Sequence, residues 1–255
     1  MKYTVLTLFP EITDAFFETS IMAKAIKRGI IQYRAVNIRD FARDKHKTCD
    51  DAPYGGGPGM LMLPEPLGLA LNSVLPPLPI NKPRVIYLSP SGRSFTQELA
   101  KELAAEQELV LICGRYEGVD QRVIDLYVDD EISVGDYVLS SGEVAALAVI
   151  DATYRLVDRV IREESLAEES FSDGLLEYPQ FTRPEEYANI KVPDVLLSGH
   201  HEQIRLWRLE KRVEKTLRQR PDMIQRGKEL GFFSKEILNI LARYSQLNMQ
   251  GEKDE

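Results

Sequence analysis

The segment that most limits the possible folds is Leu109-Val110-Leu111-Ile112-Cys113, an apolar run that ends directly in Gly114-Arg115-Tyr116-Glu117-Gly118-Val119-Asp120. Consecutive apolar residues bounded by turn residues suit a strand buried on both faces, the strand type of a parallel sheet covered by helices. In open α/β sheets, ligands bind where such strands end. Gly114 and Gly118 allow backbone to approach a ligand, and the Arg, Tyr and Glu between them offer charge, stacking and an acceptor. Taken alone, the segment reads equally as an ordinary strand-to-helix turn with a solvated Arg and Glu.

The surrounding pattern decides the class. Tyr3 to Phe9 is apolar and β-rich and is stopped by Pro10, while Ser20 to Gly29 has an N-cap, helical spacing and a terminal glycine. Ile31 to Ile38 predicts a second strand, Arg84 to Leu88 a third, Thr96 to Glu106 a helix, and Val119 to Tyr127 a short helix after the Leu109 to Cys113 strand. Strands alternating with helices predict an α/β fold with a mostly parallel sheet and helices on both faces. Glu143 to Val157 is so rich in Ala, Leu, Val and Ile that it must be largely buried. From Asp158 to Gln180 periodicity fails, which predicts a linker or mobile lid. The expected organisation is therefore an α/β domain over 1–157, a linker or lid over 158–180 and a small helical domain over 181–255. In the last of these, Glu202 to Arg220 reads as a helix ended or interrupted by Pro221, and Gly251 to Glu255 as a disordered tail.

With 255 residues, 44% apolar and 28% charged, the chain has the composition of an ordinary globular protein. Its apolar runs are far too short to span a bilayer, and Met1 to Leu6 reads as a strand and not a signal peptide, so a cytoplasmic protein is expected. Cys49 and Cys113 cannot form a disulfide framework and are expected to be reduced. A net charge of minus 8 argues against a general nucleic-acid binder, but the charge is uneven. His200 to Leu230 holds nine Lys and Arg against five Asp and Glu, a local plus 4 that leaves minus 12 on the rest. Such asymmetry suggests a basic surface aimed at a polyanion. Within the 202 to 220 helix, Leu206, Leu209, Val213 and Leu217 share one face and Arg205, Arg208, Arg212 and Lys215 another. That basic face suits a phosphate backbone, or equally a solvated surface paired with Glu210 and Glu214.

Further glycine-bearing segments sharpen the picture. Tyr54-Gly55-Gly56-Gly57-Pro58-Gly59-Met60 lacks the Lys-Ser/Thr ending of a phosphate-binding loop, and no G-x-G-x-x-G follows a strand anywhere. It reads as a flexible turn or as a loop whose bare backbone lets a flat ligand such as a base lie close. Leu88-Ser89-Pro90-Ser91-Gly92 follows the third strand, and Ile132-Ser133-Val134-Gly135-Asp136-Tyr137-Val138-Leu139-Ser140-Ser141-Gly142-Glu143 follows a later one. With the 114 to 118 loop, three such loops at strand ends would build a pocket of backbone amides and carbonyls suited to a polar, adenosine-like ligand. Metal-ligand spacing is missing: His200 and His201 are adjacent, His46 is remote, and a capping or surface role suits them better. G-x-S-x-G is absent as well. Among Glu168, Glu169, Asp173 and Glu177 a carboxylate held in place could act as general base, with Phe171, Leu175 and Leu176 anchoring the segment on a core; the bland alternative is a solvated acidic run.

In order along the chain, Tyr54 to Met60, Leu111 to Asp120, Asp130 to Leu139, Asp173 to Pro184 and Val192 to Gly199 closely resemble the bacterial tRNA (guanine-N1)-methyltransferase family, TrmD, of the SPOUT superfamily. The resemblance implies a deep trefoil knot in the α/β domain, an S-adenosylmethionine site within it, a homodimer with active sites between subunits, and methylation of N1 of guanine 37, next to the tRNA anticodon. It places the methyl donor on Leu88, Ser89, Pro90, Gly114, Arg115, Tyr116, Glu117, Ser133, Val134, Gly135, Asp136, Tyr137, Val138, Leu139 and Gly142. Glu169 would take the N1 proton and Arg155 would stabilise charge developing on O6. The tRNA anticodon stem-loop would meet Tyr54, Gly55, Gly56, Gly57, Pro58, Gly59, Ser170, Asp173, Arg205 and Arg208, and the family's magnesium dependence makes Glu117 a candidate Mg2+ ligand. Three positions depart from the family pattern: Glu169 stands where Asp is usual, Ser141-Gly142 replaces Gly-Gly, and Val157 to Ile161 replaces a Pro-Gly turn. The alternatives are a non-catalytic RNA-binding paralogue that keeps the donor pocket, or a SPOUT methyltransferase with a different RNA substrate. An unrelated nucleotide-dependent α/β enzyme is disfavoured by the missing phosphate loops.

Overall fold

Side chains that alternate between two apolar layers fix the architecture of the first half of the chain. The computed structural model describes residues 1–77, 82–162 and 169–251, with backbone alone for 246–251. The chain divides into two compact units, Met1–Ile161 and Arg162–Glu255. Part of the expected lid, including Glu168, and residues 252–255 of the expected tail lie outside the described residues.

The first unit is built on five strands: β1 (Lys2–Thr7), β2 (Gln32–Asn37), β5 (Arg84–Ser94), β6 (Glu108–Cys113) and β7 (Asp130–Ser133), ordered β2-β1-β6-β5-β7. Every pairing in this sheet is parallel. On β6, Leu109, Leu111 and Cys113 enter one apolar layer and Val110 and Ile112 the other. The first layer is covered by α2 (Ser20–Lys27), α4 (Gln97–Ala104) and α6 (Gly142–Tyr154), the second by α3 (Pro64–Val74) and α5 (Gln121–Tyr127). The expected α/β architecture with helices on both faces is therefore present, and a small antiparallel pair, β3 (Asp50–Asp51) with β4 (Leu61–Met62), brackets the glycine cluster. Helix α1 (Pro10–Phe17) was not expected: Pro10 does not merely end the strand but begins the helix, where its missing N–H costs nothing.

The chain steps from β5 through α4 to β6 in one direction and from β6 through α5 past β5 to β7 in the other. Crossovers that reverse direction leave a crevice at the carboxyl ends of the strands between them. Beyond Leu88, β5 breaks register and resumes at Arg93, paired with Ile132, so that residues 89–92 bulge at that end. A Cβ on Gly92 would sit 2.4 Å from the Ile132 backbone nitrogen, which shows how closely the bulge lies on β7.

The second unit is helical, with a short hairpin of β8 (Glu186–Tyr187) and β9 (Ile190–Lys191). Its helices are α7 (Asp194–Leu197), α8 (His201–Gln219), α9 (Pro221–Glu229) and α10 (Lys235–Gly251). Pro221 again opens a helix as its first residue. The core joins Leu175 to Val213, Ile224, Phe233, Ile237, Ile240 and Leu241. Leu175 thus ties the 169–177 segment into this unit, while Phe171, expected as an anchor, is 43% exposed.

This packing changes the meaning of the basic face of α8. Arg212 is buried, paired bidentately with Asp173, and its Nε donates to the Leu176 carbonyl; Lys215 donates to the carbonyl of Glu177. Both cations hold the 173–177 segment, so they do not form one free stripe with Arg205 and Arg208. Replacing Asp173 by Ala is expected to lower stability by about 1–3 kcal/mol, because it strands a buried guanidinium while the half-open site admits water. Urea unfolding checks this, with Asp222→Ala, which breaks an exposed pair to Arg220, expected to cost under about 0.5 kcal/mol.

Candidate functional site

The three glycine-bearing loops singled out in the sequence converge. Leu88 to Ser91, Gly114 to Gly118, Val134 to Gly135 and Tyr137 to Ser141 line one cavity of about 400 Å³ at the carboxyl ends of β5, β6 and β7, closed by Gly142 and Ala145 of α6. That volume lies within the range of about 300–1,000 Å³ typical of small-molecule sites. Of the residues expected to hold a donor, all but Asp136 line the cavity. Asp136 is exposed at the centre of a tight turn closed by the Tyr137 N–H donating to the Gly135 carbonyl at 2.9 Å.

The walls are close because glycines permit it. The Gly142 N–H donates to the Gly114 carbonyl at 2.9 Å, and a Cβ on Gly142 would stand 2.7 Å from the Gly114 nitrogen. The start of α6 therefore rests directly on the β6 exit. Gly118 has φ of 126°, a region L side chains rarely adopt, and a Cβ there or on Gly114 would press on the Tyr87 hydroxyl. Tyr87 lines the cavity, and its phenol titrates above the ordinary range, mainly through burial and then through Glu131. Cys113, fully buried beneath the loop, is pushed well above the usual thiol range by burial and by Glu143, so it offers no thiolate. Both cysteines are free, as expected.

Beside this wall lies the glycine cluster. The Glu117 N–H donates to the Met60 carbonyl, Met62 N–H to the Gly118 carbonyl and Asp120 N–H to the Met62 carbonyl, so residues 60–62 run along residues 117–120. Gly59 packs against the Glu117 side chain so tightly that a Cβ would come within 2.4 Å of Oε1. Tyr54 at the head of the cluster is fully exposed and borders a second depression with Arg43 and Arg122.

A profile described as tRNA (Guanine-1)-methyltransferase TrmD matches residues 1–226. The chain belongs to the TrmD family. Among curated relatives, it is 63% identical to the tRNA (guanine-N(1)-)-methyltransferase of Treponema denticola, over 96% of this chain and 99% of that one. It is 59% identical to the protein of the same name from Treponema pallidum, over 94% and 95% respectively. With the Borreliella burgdorferi protein, again of that name, it shares 56% identity over 92% of this chain and all of the other.

The two residues that the TrmD resemblance makes catalytic fall in different units. Arg155 is the half-buried C-cap of α6, a helix pinned to β1 by Tyr3 and Thr153, whose hydroxyls are 2.9 Å apart. Glu169 belongs to the second unit, where its carbonyl accepts from the Ser172 N–H and hydroxyl at 3.2 and 2.7 Å. Ser170 Oγ accepts from the Glu177 N–H at 3.0 Å, so Ser170, like Asp173, holds its own segment together. On α8, Arg205 pairs with Glu202 and Glu236, and Arg208 stacks over the Tyr178 ring at 4.7 Å. Glu210 and Glu214 pair with Arg243 and Lys211.

Sequence reasoning missed one group outright. Glu143 is completely buried in the first turn of α6; its Oε1 accepts from the Thr7 hydroxyl at 2.6 Å and its Oε2 faces Arg115 Nε at 3.4 Å. Arg115 in turn lies over the Phe9 ring at 4.4 Å. A Glu at a helix start reads as a favourable dipole partner, and nothing local announces that Thr7 and Arg115 converge on it. Tyr87 and Ala145 were also not singled out, although each lies close to a loop that was.

Proposed function

We propose that this chain transfers a methyl group from S-adenosylmethionine to N1 of guanine 37 in tRNA. The observation that carries the reading is the single cavity formed by three loops at the reversal of the sheet, in a chain of the TrmD family. Its walls fit the donor: the close backbone approach that Gly114, Gly118 and Gly142 permit and the rings of Tyr87, Tyr116 and Tyr137 suit a flat adenosine. When bound, the donor supplies an electrophilic methyl on a sulfonium sulfur.

The chain's own residues do the rest. Glu169 takes the proton from guanine N1, because the protonated nitrogen is a poor nucleophile. The electron pair left on N1 would accept the methyl, which a bound donor would release from its sulfonium sulfur as a neutral thioether forms. Negative charge that spreads to O6 is met by the Arg155 guanidinium. The loops hold the donor still, so that much of the rate comes from alignment. On the RNA side, the bare Tyr54 to Gly59 loop would meet the splayed base, and Arg205 and Arg208 the anticodon-stem phosphates.

Three further features are proposed from family likeness: a trefoil knot, a homodimer with shared active sites, and Mg2+ at Glu117. Among the described residues no group of three His, Cys, Asp or Glu side chains is placed to hold a metal ion, so no step is assigned to magnesium. No helix among the described residues is long and apolar enough to cross a membrane. Incubation with labelled donor and a tRNA transcript bearing guanine at position 37 is expected to give one methyl per tRNA, with none on a position-37 adenine control. Donor binding without transfer would leave a non-catalytic paralogue.

A further inference from the structure

We infer that Glu143 sets the charge preference of the cavity: by neutralising Arg115 in the wall, it lets the site favour a cationic sulfonium over the neutral thioether left after transfer. This rests on the reading that the cavity takes S-adenosylmethionine. Arg115 lines the cavity, and Glu143 stands behind it as a positioning residue, flanked by Gly142 and Ala145, which line the same cavity.

The arrangement is built from three elements. Thr7 ends β1, Arg115 follows β6, and Glu143 opens α6. Glu143 is completely buried, and neither its Oε2 nor Arg115 Nε has a hydrogen-bond partner, so their 3.4 Å approach is electrostatic. The Thr7 hydroxyl, 2.6 Å from Oε1, fixes the carboxylate's orientation, and the amino end of α6 favours a negative charge there. Phe9 covers the guanidinium at 4.4 Å. An uncompensated guanidinium in a partly desolvated wall repels a sulfonium, and that repulsion is stronger than in water. The two ligands share their amino and carboxylate groups and differ at one methyl and one charge, so a wall cation left without its carboxylate discriminates between them through the sulfonium.

The experiment is equilibrium binding of S-adenosylmethionine and of S-adenosylhomocysteine, each alone, to the full chain and to Glu143→Gln. Gln keeps the shape and can still accept from Thr7. The donor Kd is expected to rise on the order of tenfold while the thioether Kd moves less than about twofold. Partial loss of folded protein cancels in the ratio of the two. Arg115→Gln, which leaves the carboxylate and removes the cation, is expected to shift that ratio the opposite way, and keeps the test decisive if Glu143→Gln does not fold. Equal changes in both constants, or none, in these variants would overturn the inference and leave the donor reading intact. Failure of the unaltered chain to bind either ligand would overturn the donor reading itself, and the inference with it.

Discussion

Replacing Glu169 by Gln is expected to lower methyl transfer to guanine 37 by about 10² to 10⁴, the usual contribution of a positioned general base. Gln keeps size and hydrogen bonding but cannot carry the N1 proton away. The fold should be indifferent. The backbone around 169 is held by Ser172 on its carbonyl, by the Phe171 N–H donating to the Leu175 carbonyl at 3.0 Å, and by Leu175 in the core of the second unit. The cavity is lined by residues of the first unit alone, whereas Glu169 belongs to the second, and donor affinity is expected to stay within about twofold. Asp173 is a poor substitute base, because both of its carboxylate oxygens are engaged by the Arg212 guanidinium. Single-turnover kinetics with saturating donor gives the rate, and titration calorimetry the affinity. Glu169→Asp, the residue usual in the family, is expected to keep turnover. Full activity in Glu169→Gln would pass the proton to another group, Glu168 first.

The sheet and the cavity were legible because their signals are local. A buried parallel strand is a short apolar run, and each loop announces itself by the glycines that follow, as at Cys113-Gly114 and Val134-Gly135. What was hidden depends on partners distant in sequence. Pro10 and Pro221 each carry two meanings, strand or helix end and helix start, and the sequence reading chose the first. Arg205, Arg208, Arg212 and Lys215 have identical helical spacing, yet Arg212 and Lys215 are taken by the 173–177 segment and Arg205 by Glu236 on another helix. Helical periodicity shows which residues share a face but not what that face touches. Glu143 is the plainest case, since its two partners, Thr7 and Arg115, come from the ends of strands that become neighbours only when the sheet forms. Phe171 shows the converse: an apolar residue beside Leu175 looks like an anchor, but its left-handed backbone, φ 73°, belongs to a turn that leaves it exposed.

Replacing Gly142 by Val is expected to remove donor binding and to destabilise the first unit by about 3 kcal/mol or more. The cost comes from the side chain's first carbon. At this site a Cβ would stand 2.7 Å from the Gly114 nitrogen, 2.8 Å from Cys113 Cα and 3.0 Å from the Cys113 carbonyl carbon. All three are backbone atoms of the central strand's exit, and Cys113 is fully buried, so no flexible side chain can swing away. Overpacking of a rigid interior typically costs about 1–3 kcal/mol for added methylenes, and a clash with backbone on a paired strand belongs at or above the top of that range. Relief comes only by moving α6 outward. That motion breaks the Gly142 N–H to Gly114 carbonyl bond and carries Glu143 away from Thr7 and Arg115, opening the cavity wall. Gly142→Ala brings in the same first carbon with less bulk and is expected to lose donor affinity more than tenfold at a smaller stability cost. A contrasting exposed site is Gly231, where φ is 69° but nothing lies within 4 Å. Gly231→Ala should cost only the strain of the left-handed backbone, about 1–2 kcal/mol, with donor binding intact. Thermal unfolding with and without donor separates the two: a donor-induced rise in Tm that survives in Gly142→Val would show that the α6 start does not form the wall.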